Sequence, residues 1–276
     1  MSNTRRDSLI AEMGLGPVWK LRDRAAEALA SASVEHAATG AATGASTQRA
    51  LNPAQPVRRA PPSMPAPMQP TVHVDDGREG TILGLEWPAL QESVAACTAC
   101  ALCRTRRHTV FGVGDPAAQW MIIGEAPGAD EDASGEPFVG QAGRLLDNML
   151  ASLDMTRDKN VFITNVLKCR PPGDRNPESI EVARCSPYLV RQVELVQPKL
   201  ILAMGRFAVQ ALLNTDASIA SLRGKLHRYR DVPVIVTYHP AYLLRNLTDK
   251  LKAWEDLVFA RQTMQELTGE GVASGA

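Results

Sequence analysis

Cysteine is scarce, with five in 276 residues, and aromatic side chains make up only 5% of the chain. Charge of either sign is not in excess, because thirty basic residues face thirty acidic ones. Long apolar runs are missing too. Each shortage excludes something. So few cysteines in so long a chain rule out a disulfide scaffold, and 45% hydrophobic content at this length can bury one good core without staples. A net charge of zero means that any polyanion-binding surface must come from local clustering. No stretch approaches the roughly eighteen apolar residues of a membrane span. The opening "MSNTRRDSLIAEMGLGPVWK" also lacks an unbroken apolar core followed by a small-residue cleavage site. The expectation is a soluble cytoplasmic protein, with no membrane among its partners.

What is present falls into four parts. Residues 1–36 carry a short amphipathic pattern of Leu9, Ile10, Met13, Val18, Trp19 and Leu21, interrupted by Gly14, Gly16 and Pro17. Residues 37–80, beginning "AATGAATGASTQRALNPAQPVRRAPP", are rich in Ala, Pro, Gly and Ser and have no aromatics, so they read as a disordered linker. Residues 81–270 read as one folded domain, and 271–276 as a tail. Within the domain, the apolar runs "WMIIG" (120–124), "VFITNVLK" (161–168), "KLILAMG" (199–205) and "VPVIVTYHP" (232–240) alternate with helical patterns at 142–153, 177–196, 206–213 and 248–267. Short apolar runs alternating with helices predict a parallel sheet buried on both faces. The fold class is therefore α/β, a three-layer α/β/α sandwich around a central four-stranded parallel sheet. In such folds the working residues sit at the carboxyl ends of the strands.

Four of the five cysteines are grouped. Cys97 and Cys100 form a C-x-x-C pair, while Cys169 and Cys185 flank the loop "RPPGDRNP". Four thiolates converging from two segments would suit an iron-sulfur cluster or a structural zinc, and the long loop leans toward the cluster. Cys103 extends the first pair to C-x-x-C-x-x-C, so any of the three can serve. Four buried, unpaired thiols are the plain alternative.

The strand ends carry the other candidates. In "GEAPGADED", Gly124, Pro127 and Gly128 make a turn whose amides can approach a ligand, and Glu125, Asp130, Glu131 and Asp132 read equally as an acidic helix start. Phe138 lies in a loop, as core filler or as a stacking plate. Asn165 ends the second run, where a carboxamide can read the edge of a heterocycle or merely cap a turn. His239 stands at a rigid strand-to-loop junction before Pro240. In "HPAYLLRN" an apolar tip sits beside Arg245, the composition of a loop that enters DNA or of an ordinary helix start. Basic residues cluster at Arg104, Arg106, Arg107 and His108, and again at Arg223, Lys225, His227, Arg228 and Arg230, as a phosphate track or as solvated faces.

Taken together, "CTAC", "VFGVGDP", "GEAPGADEDASGEPFVGQAGRLLDNML", "VFITNVLKCRPPGDRNP", the Cys185 spacing and "HPAYLLRN" resemble the family 4 uracil-DNA glycosylases over about Leu83 to Leu267. The resemblance implies a monofunctional glycosylase that hydrolyses the N-glycosidic bond of uracil in single- or double-stranded DNA and leaves an abasic site, the first step of base excision repair. It implies a 4Fe-4S cluster on Cys97, Cys100, Cys169 and Cys185. It also implies that Gly124, Glu125 and Ala126 line the uracil pocket, that Phe138 stacks on the base and that Asn165 reads its amide edge. His239 then faces O2, and Leu243 with Arg245 meets DNA. Highly active relatives outside the family place an aspartate where this chain has Ala126, so the water activator falls to Glu125, with Glu131 as the second candidate. The loop "RPPGDRNP" lacks the histidine by which other relatives trap themselves on DNA, and turnover is expected. No lysine is placed at the site for a lyase step. A non-catalytic iron-sulfur DNA-binding accessory protein is the alternative reading. The chain is expected to be monomeric, and its N-terminal arm is either a tether for a repair or replication partner or a passive tail.

Overall fold

The computed structural model describes residues 77–269. The amphipathic segment at 1–36, nearly all of the linker at 37–80 and the tail at 271–276 lie outside them. The apolar runs form β2 (Trp120–Gly124), β3 (Val161–Asn165), β4 (Leu200–Met204) and β6 (Val232–Thr237), all parallel to one another. Two antiparallel edges complete a six-stranded sheet: β1 (Val113–Gly114) against β3, and β5 (Leu226–Tyr229) against β6, in the order β1-β3-β2-β4-β6-β5. The expected four-stranded parallel core is thus present, with an added strand on each margin.

Alternation explains the two faces. Along β2, Trp120 and Ile122 point into one core with Ile163, Leu202 and Ile235, while Met121 and Ile123 point into another with Phe162, Ile201 and Val236. The first core is covered by α4 (Gly140–Ala151) through Leu146 and Leu150, and by α9 (Lys250–Thr268) through Leu257 and Ala260. The second is covered by α5 (Ser179–Val196) through Leu189 and Val193, and by α6 (Arg206–Leu213) through Val209 and Leu212. This is the three-layer sandwich. Two further helices, α1 (Arg78–Leu83) and α2 (Trp87–Ala95), pack Ile82, Leu90 and Val94 on Tyr188 of α5. The first of them starts at Arg78, just inside the segment read as linker.

Short elements fill the strand ends. They are α3 (Ala129–Ser134) after β2, α7 (Ile219–Leu222) before β5, and α8 (Pro240–Arg245) after β6. The β5–β6 turn is two residues, Arg230 and Asp231, with φ of 44° and 69°. Two positive φ angles are what a type I′ hairpin requires, and they match the twist of the flanking strands. Part of the basic cluster at 223–230 therefore serves as an edge hairpin. No helix among the described residues is long and apolar enough to cross a membrane.

Candidate active site and cysteine pocket

The carboxyl ends of β2, β3, β4 and β6 open into a cleft of about 650 Å³, bordered by Glu125, Ala126, Pro127, Arg206, His239 and Arg245. Gly124 and Asn165 lie side by side in register at the ends of β2 and β3. A Cβ on Gly124 would stand 2.4 Å from Asn165 Oδ1 and 2.5 Å from the Phe138 ring, so only glycine lets amide and ring come this close. Asn165 is buried, and its Oδ1 has no hydrogen-bond partner. A buried acceptor left open is costly unless something arrives to fill it.

Phe138 is held in a left-handed conformation, φ 53°, which a bulky residue adopts only under compulsion. Arg157 supplies that compulsion. Its Nη1 donates to Pro137 O at 2.9 Å, its Nη2 to Phe138 O, and its Nε to Asp147 Oδ1 at 2.5 Å. The Phe138 carbonyl also rests on Gly143 of α4, where a Cβ would come within 1.7 Å. Neither Arg157 nor Gly143 was singled out in the sequence, because the contact joins segments that only the fold brings together.

His239 stacks on Phe138, with ring centroids 5.3 Å apart and planes 27° from parallel. Ala241 N donates to His239 Nδ1 at 3.2 Å, so Nδ1 is an acceptor and a neutral ring carries its proton on Nε2. Burial, helped by the like charge of Arg245, pulls the imidazole down to about 4, so the ring is neutral at physiological pH. Gly205 makes room for it: at φ 88°, a Cβ there would meet His239 Cβ at 2.9 Å. Burial pushes the Glu125 carboxyl up to about 7, opposed by Arg206. Arg206 was not foreseen. Its signal was the glycine before it, which opens α6 at the end of β4.

Two expected assignments meet the structure differently. Leu243 is 1% exposed and belongs to the first core, so it does not reach DNA from this position; Leu244, at 36%, is the leucine of α8 that faces outward. The helix rotates about 100° per residue, which puts neighbours on different faces. Glu131 accepts the Gly128 N–H at 3.0 Å as the cap of α3 and is not among the residues bordering the cleft. Arg245 is exposed at the cleft rim. Of the basic clusters, Arg223 is paired with Glu255 and Asp256, and Arg230 with Glu194.

Cys97, Cys100, Cys169 and Cys185 border one small apolar pocket with Leu102, and Cys103 borders it too. Cys97 follows α2, Cys100 opens a 3-10 turn, Cys169 lies beyond β3 and Cys185 sits on α5. Among the described residues, no three His, Cys, Asp or Glu side chains converge to hold a single ion. Several sulfurs instead receive N–H donors: Cys169 from Arg106 Nη1 at 3.1 Å, Cys97 from Arg78 Nη2 at 3.6 Å, and Cys185 from Lys168 N at 3.3 Å. Burial pushes the Cys185 thiol up to about 12. Lys168, a residue the sequence reading passed over, is buried directly beneath the Asn165 peptide and does not border the cleft.

Residues 111–258 match the family described as the Uracil DNA glycosylase superfamily. The chain is 46% identical over 159 residues to the type-4 uracil-DNA glycosylase of Archaeoglobus fulgidus, covering 55% of this chain and 79% of the relative. It is 39% identical over 165 residues to the type-4 uracil-DNA glycosylase of Thermotoga maritima, covering 59% and 85%. A type-5 uracil-DNA glycosylase of Pyrobaculum aerophilum is more distant, at 32% identity over 146 residues, covering 47% of this chain and 64% of the relative.

Proposed function

Because the chain belongs to the uracil DNA glycosylase superfamily, alongside the type-4 uracil-DNA glycosylases, it removes uracil from DNA, and we propose that the cleft at the ends of β2, β3, β4 and β6 is where it does so. The observation that carries this placement is the open Asn165 Oδ1 near the Phe138 ring; both residues are buried and do not themselves border the cleft, but Phe138 stacks on His239, which does. Uracil is a flat ring with an N3–H donor next to O4 and O2 acceptors. The free oxygen accepts from N3–H, and the amide nitrogen donates to O4. Cytosine presents an unprotonated N3 and an amino group at that edge, which leaves the pair mismatched.

Hydrolysis breaks the C1′–N1 bond and forms a new bond from C1′ to a water oxygen, and uracil departs as an anion that later takes a proton. Charge therefore develops on O2. The neutral His239 ring offers it an Nε2–H, a donor that needs no protonated imidazole. Phe138 stacks on the extrahelical base and offsets part of the unstacking cost of about a few kcal/mol. Glu125 is the carboxylate at hand to orient the water on the sugar side, since Ala126 offers none. With no lysine among the described residues that border the cleft, the reaction stops at the abasic site.

Cys97, Cys100, Cys169 and Cys185 would hold a 4Fe-4S cluster. The donor set fits it: one buried and three half-buried thiols around an apolar space, with N–H groups aimed at three of the sulfurs, as suits iron-bound thiolates. When bound, the cluster supplies a covalent brace and fixed charge, not a step in glycosidic cleavage. The expected domain limits of 81–270, monomeric behaviour and a partner for the N-terminal arm belong to the same proposal. Arg245 and the exposed Leu244 would meet the DNA strand at the rim.

The test is an oligonucleotide carrying one uracil, treated with alkali after incubation. Wild-type protein is expected to give strand cleavage only at uracil, with Asn165→Asp and His239→Ala each slower by at least about 100-fold. Undiminished excision by both variants would place the chemistry elsewhere.

A further inference from the structure

Lys168 is 1% exposed, and its ammonium group donates to three oxygens: Thr164 Oγ1 at 2.6 Å, the Asn165 backbone O at 2.7 Å and Gln192 Oε1 at 2.6 Å. None of these acceptors is a carboxylate. Burial pulls the Lys168 amine down to about 7, and the groups of opposite sign nearest to it are Cys185 and Cys169, whose pocket Lys168 also borders. Its hydrogen bonds, however, all go to the end of β3 and to Gln192. Thr164 and Asn165 are the last two residues of β3, and Gln192 is anchored in turn by its Nε2 on Phe111 O at 2.9 Å. Asn165 Oδ1 makes no hydrogen bond of its own. No hydrogen bond to Oδ1 therefore holds the direction of this side chain, which makes the placement of its backbone matter. Beyond the strand end Val166 N and Leu167 N still donate to Gly124 O and Glu125 O at 3.0 Å, while the Asn165 carbonyl is gripped by Lys168.

We infer that Lys168 is a positioning residue for uracil excision: its ammonium group fixes the Asn165 peptide so that the carboxamide meets the edge of the base. Lys168 touches no part of the substrate and acts only through Asn165. The inference rests on the assignment of Asn165 as the base reader.

The experiment is a double-mutant cycle. Single-turnover excision is measured for Lys168→Met, Asn165→Ala and the double variant, beside affinity for an oligonucleotide carrying a stable abasic analogue. Visible absorption and melting temperature are recorded for each. Lys168→Met is expected to lose at least about tenfold in excision rate, because small misplacements of a reading group are this costly. Abasic-DNA affinity should stay within about twofold, absorption should be unchanged, and Lys168→Met should cause no further loss once Asn165 is alanine. Losses that multiply in the double variant, or a parallel loss of abasic-DNA affinity, would overturn the inference. If Lys168→Met does not fold, Gln192→Leu replaces it in the same cycle, with a several-fold loss expected only while Asn165 is present. An Asn165→Ala protein that excises at the wild-type rate would instead remove the base-reader assignment itself.

Discussion

Two titratable side chains border the same cleft and are displaced in opposite directions. His239 falls from its usual 6.5 to about 4, and Glu125 rises from 4.5 to about 7, in both cases chiefly because burial disfavours the charged form. Between about pH 4 and 6.5 the unfolded chain binds a proton at His239 that the folded one refuses, so this residue's contribution to stability falls as the solution is acidified. Glu125 has the reverse sign. Its folded form keeps a proton that the unfolded chain releases, a contribution present below pH 4.5 and lost as pH rises through about 7. Melting Glu125→Gln against wild type should show the variant gaining relative stability from pH 4.5 to 7. The same titration bears on rate: if ionised Glu125 orients the water, kcat/KM climbs through about pH 7, and Glu125→Gln abolishes that limb. A limb that survives in the variant would assign the titration to another group. At this scale sequence could single out residues that carry their own chemistry, such as Asn165 and His239, both of which stand at the carboxyl ends of strands. It was blind to Arg157, Gly143 and Lys168, whose importance lies wholly in which distant carbonyl or ring they meet.

Elements were legible where burial imposed a pattern. The central strands had apolar residues on both faces, and α6 coincides with its predicted span of 206–213. The edges were not, because β1 is two residues long and β5 alternates exposed and half-buried positions without an apolar run. Its hairpin uses Arg230 and Asp231 in place of the Asn-Gly or Asp-Gly that would have announced it. The leucines of α8 are instructive: composition does not choose between adjacent leucines, because that depends on helix phase, which six residues with a half-buried face do not define. Leu243→Ala should cost about 2–4 kcal/mol in chemical denaturation, as expected for a truncated core leucine. Leu244→Ala should stay within about 0.5 kcal/mol and instead weaken DNA binding. Equal stability losses for the two would contradict the burial described.

For the whole molecule, the cysteine pocket joins the segment after α2 to the loop after β3 and the α5 helix that follows it, two stretches far apart in the chain. With a cluster in place, Cys169→Ser should bleach the visible absorption and lower the melting temperature, whereas Cys103→Ser should leave both intact. Bleaching by Cys103→Ser would exchange its role with that of a neighbour. The sandwich as a whole could be foreseen because its sheet is almost entirely interior, so hydrophobic patterning alone determines the layers. The rigid Phe138 plate has one more consequence. Arg157 and Gly143 hold the ring in place without any nucleic acid. If the base stacks on that ring, a loose pyrimidine should meet the same surface as one still attached to its strand, and added free uracil should slow excision by competing with the next lesion.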